Sequence, residues 1–125
     1  MSLGILLFAH GARDPAWAAP FEAVAARLRE LRPQAQVRLA FLEFMSPGMA
    51  EAGRALVAAG CSEVQVVPLF LGAGGHVRKD VPVLLDALRE AHPQVRFVLQ
   101  PAIGEQPTVI EAMAAAAAAL HTSGP

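Results

Sequence analysis

The sequence contains very little of several residue types, and each scarcity argues against a class of protein. Cys61 is the only cysteine among 125 residues, so the chain can form neither an internal disulfide nor a thiolate metal cluster. Tyrosine is absent, there is one tryptophan, and no run of basic residues occurs. The chain therefore has few side chains that could stack on bases or attract phosphates, which argues against a nucleic-acid partner. The net charge of -1 argues in the same way against a membrane held by bulk charge.

Long hydrophobic runs are also missing. The longest apolar stretch, residues 113–120, is rich in alanine and falls short of the ~20 residues that span a bilayer. Residues 1–9 are apolar, but they have no basic segment and no cleavage pattern, so we interpret them as a strand rather than a signal peptide. We therefore expect a cytoplasmic protein with no membrane partner. Because 54% of the residues are apolar and 17% are charged, the chain is expected to fold around a core.

The sequence does contain a repeated alternation of short β-rich runs with longer helical patterns. The predicted strands cover residues 3–9, 37–43, 63–70 and 95–99, and the predicted helices cover 16–31, 47–60, 80–92 and 107–120. Four such units with short connections predict an α/β fold in three layers, with a four-stranded parallel sheet and a flavodoxin-like strand order of 2-1-3-4. We expect residues 1–121 to form this single domain and residues 122–125 to form a frayed tail.

Three residues with metal-binding side chains stand at the carboxyl ends of the first three predicted strands. They are His10, Glu43 and His76, which follow one another at intervals of 33 residues. In a sheet with the order 2-1-3 these ends lie side by side, over roughly 10 Å, at the edge where such sheets bind ligands. Two imidazoles and a carboxylate suit cobalt, iron, nickel or zinc better than calcium or magnesium. Glu43 has the alternative of capping the next helix near Ser46, and a lone strand-end histidine is more often an ordinary loop residue.

A glycine-rich loop precedes His76. It is neither a Walker loop nor a complete G-x-G-x-x-G motif. Glycine in such a loop permits either a positive φ or the close approach of a large flat ligand to the backbone. The apolar residues 69–71 that lead into the loop favour the ligand. The loop residues predicted to bind substrate are Leu71, Gly72, Ala73, Gly74 and Gly75.

Apolar residues also follow the second predicted strand, on the other side of the expected cleft. Phe44, Met45 and Met49 would be exposed there, so a ligand or a partner subunit is expected to cover them, although packing in the core is an alternative for some. Arg13, Arg78 and Lys79 flank the two histidines and can meet substrate carboxylates, with ordinary surface charge as the alternative. Phe44, Met45 and Arg13 are predicted to bind substrate.

Three blocks of the sequence resemble the sirohydrochlorin chelatases, which are the class II, ATP-independent metal chelatases of sirohaem and cobalamin synthesis. The blocks are LFAHGARDP at residues 7–15, FLE at 41–43 with Pro47, and VPLFLGAGGHV at 67–77 with Asp80 and Pro82. The third block is the most specific, and the resemblance extends from about Leu3 to Ala118. The length is similar to that of the short archaeal and bacterial form, which has one βα half where longer relatives have two.

The resemblance implies insertion of a divalent metal, most readily Co²⁺ and alternatively Fe²⁺ or Ni²⁺, into sirohydrochlorin. It implies a homodimer whose two copies form the cleft, a tetrapyrrole substrate, and no cofactor beyond the substrate metal. It further implies that His10 and His76 hold the metal and act in catalysis, with His10 as proton acceptor. Glu43 matches an acidic position that is present in many relatives but not in all. The histidine-rich segment of some short relatives is absent, so a metal-storage role does not carry over.

Two other functions remain open on the sequence. A non-catalytic carrier of metal or tetrapyrrole would keep the same cleft and predicts tight binding without a rate above background. A hydrolase or phosphatase that uses His10 and Arg13 is weaker, because no G-x-S-x-G motif is present and histidine phosphatases place arginine directly before His-Gly, where this chain has Ala9.

Overall fold

The computed structural model describes residues 2–72 and 74–120, and of His76 and Val77 it describes the backbone alone. Strands and helices alternate along the chain. The strands are β1 Ser2–Ala9, β2 Gln36–Phe41, β3 Cys61–Pro68 and β4 Arg96–Leu99. The helices are α1 Ala19–Leu31, α2 Met49–Ala58, α3 Gly75–Ala91 and α4 Pro107–Ala118, with short 3-10 helices at Pro15–Ala18 and Ile103–Glu105. The predicted tail, residues 122–125, lies outside the described residues.

The four strands form one parallel sheet in the order β2-β1-β3-β4, as predicted. β1 pairs with both β2 and β3, and its residues from Gly4 to Ala9 are buried. Leu6 and Phe8 contribute to the larger hydrophobic core, whereas Ile5 and Leu7 pack on the opposite face. A continuous apolar run therefore predicted a central strand correctly, because such a strand is covered on both faces.

Helices cover both faces of the sheet, which confirms the predicted three layers. α2 and α3 pack on the face that bears Leu6 and Phe8, and α1 packs on the face that bears Ile5 and Leu7. α4 differs from these three helices, because none of its residues is buried. Within the described residues, no helix combines the length and the apolar character that crossing a bilayer requires.

Two helices begin later than the sequence predicted. The helix expected from Ala16 starts as a 3-10 turn, and α1 proper begins at Ala19. Asp14 caps that turn by accepting a hydrogen bond from the Ala16 amide at 3.0 Å. Pro20 explains the break, because it has no N–H to donate to the carbonyl one turn earlier.

The predicted start of α2 at Pro47 was also wrong. The Phe41 amide donates a hydrogen bond to the Pro47 carbonyl at 2.9 Å, so the segment after β2 folds back to the end of that strand. α2 begins at Met49, with Gly48 as its N-cap. The other end of the helix is as predicted, since Gly60 has a φ of 92° after the last turn.

α3 begins earlier than predicted, at Gly75 instead of Asp80, and it includes Pro82. Its first turn is closed by the Arg78 amide, which donates to the Gly74 carbonyl at 3.0 Å. Glycine disfavours helix, so the sequence pattern gave no sign of this turn. His76 consequently lies in the first turn of a helix rather than at the end of a loop.

Candidate active site

The carboxyl ends of β1 and β2 place His10 beside Glu43 through the backbone. Two hydrogen bonds continue the pairing of the strands beyond their last residues. The Leu42 amide donates to the Ala9 carbonyl at 2.9 Å, and the Glu43 amide donates to the His10 carbonyl at 3.1 Å. The proximity of these two residues, which the sequence predicted from strand order, is therefore fixed by main-chain atoms.

The two side chains meet as well. His10 Nε2 lies 3.2 Å from Glu43 Oε1, and the side chains are 42% and 43% exposed. We call these residues the His10–Glu43 pair. A carboxylate that accepts from Nε2–H leaves Nδ1 of the neutral ring as the basic nitrogen, able to bind a metal or a proton. The pair is thus open to solvent and chemically competent, and Glu43 contacts His10 rather than Ser46 at this distance.

Gly11 allows this close approach of the two strand ends. Its φ is 94°, and a Cβ atom at this position would lie 1.9 Å from the Glu43 carbonyl oxygen. Only glycine avoids both the unfavourable conformation and the clash. Sequence reasoning noted a glycine beside each histidine, but the contact with Glu43 is a finding of the structure.

Phe44 and Arg13 form a second contact next to the pair. Phe44 has a φ of 66°, which is unusual for a residue with a bulky side chain and is typical of functional sites. Its side chain is among the exposed large hydrophobic groups, at 57%, and the Arg13 guanidinium carbon lies 4.9 Å from its ring centroid. This distance allows a cation–π interaction. Two of the predicted substrate-binding residues are therefore brought together.

The two methionines that follow Phe44 face the protein. Met49 is 3% exposed and belongs to the main core, so the expectation that a ligand or partner covers it was wrong. Met45 is half-buried and packs against the hydrophobic cluster of Ala9, Ala18 and Phe41. Its predicted role in substrate binding stays a prediction.

The segment after β3 presents an exposed backbone at the same edge of the sheet. Leu71 is 71% exposed, and a Cβ atom added to Gly72, Gly74 or Gly75 would meet nothing within 4 Å. None of these three glycines has a positive φ, so a turn does not require them. We call Leu71, Gly72, Gly74 and Gly75 the glycine strip. Ala73, also predicted to bind substrate, lies outside the described residues.

Phe70 and Gly104 connect the glycine strip to the rest of the site. The Phe70 ring is 8% exposed and lies edge-on to the His10 ring, with 6.2 Å between centroids. The Gly104 amide donates to the Phe70 carbonyl at 2.9 Å, and a Cβ atom on Gly104 would lie 2.1 Å from the Leu71 oxygen. Sequence reasoning missed Gly104, whose only signal was a glycine in the loop after the fourth strand.

Of the three residues predicted to bind metal, the structure describes the side chains of His10 and Glu43. Among the side chains that the structure describes, no group of three His, Cys, Asp or Glu residues is placed to hold a metal ion. The backbone of His76 lies in the first turn of α3, directly after the glycine strip, and its side chain lies outside the described part. The structure therefore brings His10 and Glu43 together, and the third ligand stays a prediction.

Comparison with known proteins places this arrangement in a family. The family model for CbiX matches residues 4–120. The chain belongs to the CbiX family. A curated relative of this CbiX chain, the sirohydrochlorin cobaltochelatase of Saccharolobus solfataricus, is 38% identical over 85 residues. That match covers 66% of this chain and 63% of the relative, so the CbiX chain spans a little under two thirds of the relative's length.

Two solved structures share the fold of the CbiX chain. A CbiX protein from Marinobacter aquaeolei superposes with a TM-score of 0.81 at 33% identity, covering 93% of this chain and 94% of that one. SirB from Bacillus subtilis, solved with Fe³⁺, superposes with a TM-score of 0.80 at 25% identity, covering 92% of this chain and 46% of SirB. The predicted family and fold are confirmed, and the matched part of SirB is about half of that protein.

Proposed function

We propose that this CbiX chain inserts a divalent metal into sirohydrochlorin, with Co²⁺ as the first candidate and Fe²⁺ or Ni²⁺ as alternatives. The observation that carries the proposal is the His10–Glu43 pair, whose nitrogen and oxygen lie 3.2 Å apart at the edge of the sheet where parallel folds bind ligands. The glycine strip on the neighbouring strand end supplies open backbone beside it. The curated relative named above has the same reaction in its name.

The pair suits a metal that must be held and then released. An imidazole nitrogen and a carboxylate oxygen together favour borderline divalent ions. Both side chains are more than two fifths exposed, so an ion can arrive from water and keep part of its hydration shell. We propose His76 as a second imidazole ligand, because it directly follows the glycine strip, in the first turn of α3.

Insertion also requires a proton acceptor, because M²⁺ replaces two N–H protons of the macrocycle and two protons must leave. We propose that the His10 nitrogen that gives up the metal then takes a pyrrole proton. Glu43, hydrogen-bonded to His10, stabilises the imidazolium that results. Since the pair is exposed, the protons can pass on to water.

The macrocycle is proposed to lie between the glycine strip and Phe44. Leu71 and Phe44 are exposed apolar side chains on the two sides of the His10–Glu43 pair, and the glycines let a flat ring approach the backbone. Arg13, positioned over the Phe44 ring, is available for a carboxylate of the substrate. Because the site is exposed, water can replace the weak contacts that hold the product, and the product can then leave.

We further propose that the chain acts as a homodimer in the cytoplasm, in cobalamin or sirohaem synthesis. The relative lengths support a second copy, since 92% of this chain superposes on 46% of SirB. A second copy would supply the other half of such a molecule.

The experiment is cobalt insertion into sirohydrochlorin, followed by absorbance, with wild type, His10→Ala and His76→Ala. His92→Ala is the matched control, because His92 caps the opposite end of α3. We expect both active-site variants to lose at least ~100-fold in rate, the lower end of what a general base contributes, while the control keeps its activity. Wild-type rates in both variants would contradict the proposal. Tight binding of tetrapyrrole by wild type, without a rate above background, would instead support a carrier.

A further inference from the structure

The ring of His10 must keep one orientation if its two nitrogens are to have different tasks. In the His10–Glu43 pair, Nε2 lies 3.2 Å from Glu43 Oε1, so Nδ1 is the nitrogen left for a metal or a proton. A half-turn about the last side-chain torsion would put carbon atoms where the nitrogens now lie. That torsion is broad and nearly two-fold in histidine, so the residue itself does not prevent the half-turn.

The hydrogen bond to Glu43 is a weak means of fixing the His10 ring. The two side chains are 42% and 43% exposed, so water competes for both partners. Holding two mobile side chains together also costs entropy, and exposed pairs of this kind contribute little net stability. A second contact is therefore needed if one orientation of the imidazole is to persist.

The Phe70 ring makes such a contact. Its plane is inclined by 72° to that of the His10 ring, with 6.2 Å between the two centroids. This is a T-shaped arrangement within the range of distances that aromatic pairs prefer. Because an imidazole sweeps out volume when it turns about its last torsion, a ring packed against it hinders that turn.

Phe70 is itself held firmly by the fold. Its ring is 8% exposed and makes another T-shaped contact, with the fully buried Phe8, at 6.2 Å and 73°. Its carbonyl accepts a hydrogen bond of 2.9 Å from the Gly104 amide, and the preceding Leu69 amide donates to the Phe8 carbonyl at 2.8 Å. The backbone and the ring of Phe70 are thus both tied to neighbouring elements, so Phe70 can restrain the more exposed His10.

Phe70 also borders a cavity of about 280 Å³ between the ends of β3 and β4 and the first turns of α3. Arg78, Gln100 and Glu105 supply polar groups to its lining. A smaller side chain at position 70 would extend this cavity toward His10, and water could then reach the imidazole from that side. We expect loss of the Phe70 ring to free the imidazole, because water would offer its nitrogens competing partners.

We propose that Phe70 is a positioning residue that holds the His10 ring with Nε2 toward Glu43 and Nδ1 toward the metal. The effect on insertion rests on the proposed function, whereas the effect on the His10 ring can be measured without it. Since Phe70 is 8% exposed, it offers a ligand little surface, and it acts on the reaction through His10 rather than through the macrocycle.

Nitrogen NMR of protein with labelled histidines tests the orientation in the absence of metal and tetrapyrrole. In a neutral imidazole the protonated and the bare nitrogen have well separated shifts, which converge when the two tautomers mix. Wild type is expected to show His10 protonated at Nε2, with its signals assigned by their absence from His10→Ala. Phe70→Leu is expected to bring the two His10 shifts toward each other.

Phe97→Leu is the matched control for this experiment. Phe97 is 4% exposed, and its ring lies 6.4 Å from that of a different histidine, His92. The control therefore removes the same ring from the core beside another imidazole, and it should leave the His10 shifts as they are in wild type. Phe70→Met is the second variant if Phe70→Leu does not fold, because methionine fills irregular gaps well.

The kinetics of metal insertion provide a second arm. We expect Phe70→Leu to lower kcat by ~10-fold or more, since a small misplacement of a reacting group is enough for such a loss. The KM for sirohydrochlorin should stay within about twofold of wild type, because no contact with the substrate is removed. Phe97→Leu should keep both constants.

Four outcomes would count against one of the two proposals. Unchanged His10 shifts or an unchanged kcat in a folded Phe70 variant overturn the positioning role and leave the chelatase proposal standing. A rise in KM alone also overturns it, because Phe70 would then contact the substrate. Equal changes in Phe97→Leu overturn it too, since general loosening of the core would be the cause. If wild type inserts no metal, the proposed function fails, and the NMR spectra still decide whether Phe70 orients His10.

Discussion

The substitution Glu43→Gln tests the electrostatic role of the His10–Glu43 pair. It removes one negative charge and keeps the shape of the side chain. A divalent ion bound to His10 Nδ1 would lie roughly 7 Å from Glu43 Oε1, because Nε2 faces the carboxylate and Nδ1 points away from it, and two unit charges at that distance in water interact by about 0.6 kcal/mol. The double charge of the ion raises this to about 1.2 kcal/mol, or roughly sevenfold in Kd. The value for water is appropriate because the side chains are 42% and 43% exposed.

We therefore expect Glu43→Gln to weaken Co²⁺ binding by at least ~7-fold, close to the lower end of the roughly 10- to 100-fold loss found when a partner of a metal-ligating histidine is removed. Cobalt titration in the absence of tetrapyrrole measures this Kd, and the dependence of the insertion rate on cobalt measures it again during turnover. Glu90→Gln makes the same chemical change near the far end of α3 and should bind cobalt as wild type does. If Glu43→Gln stays within about threefold of wild type, the carboxylate is not next to the metal and the reasoning fails.

Three further substitutions test other parts of the structure. Gly11→Ala is expected to lower the free energy of unfolding by about 2–4 kcal/mol, since it combines the strain of a positive φ with a clash at Glu43. Urea denaturation measures the loss, and wild-type stability would refute the packing argument. Gly72→Val should leave the melting temperature unchanged, because a Cβ atom at this position meets open space. The same substitution should raise KM for the tetrapyrrole, and an unchanged KM would show that the ring does not lie over the glycine strip. Burial raises the pKa of the Cys61 thiol, so its thiolate fraction at a given pH is below that of an unfolded chain. We expect alkylation at pH 8 to be slow in native protein and fast in urea, and the free energy of unfolding to fall above pH 9 in wild type relative to Cys61→Ala; equal alkylation rates in both states would contradict this.

The sequence was sufficient to predict the sheet and the proximity of His10 and Glu43. The alternation of strands and helices indicated a parallel sheet, and the order of its strands placed residues 10 and 43 at neighbouring ends. The register agrees, since Ala9 is paired with Phe41, directly before the segment that carries Glu43. Patterns of this kind succeed because they depend on local hydrophobic periodicity and on the few allowed connections.

The features that could not be predicted depend on contacts between distant residues. The need for glycine at position 104 arises from the Leu71 backbone, 33 residues earlier, and the unusual φ of Phe44 has no signature in its neighbours. The first turn of α3 begins in a glycine-rich segment with weak helix propensity. The exposure of α4 to solvent, seen in the described part of the chain, is also invisible in sequence, because an apolar helix has the same pattern whether it is buried or exposed.

The hydrogen bond between the Glu43 amide and the His10 carbonyl has a consequence for how metal preference can change during evolution. It fixes position 43 beside His10 whatever side chain stands there. In the proposed site, histidine or cysteine at this position would present a different donor atom on the same scaffold, and aspartate would present the same oxygen on a shorter side chain. Under the proposed function, the choice of metal could change through one residue at a time, and variants at position 43 are a natural starting set for altering that choice by design.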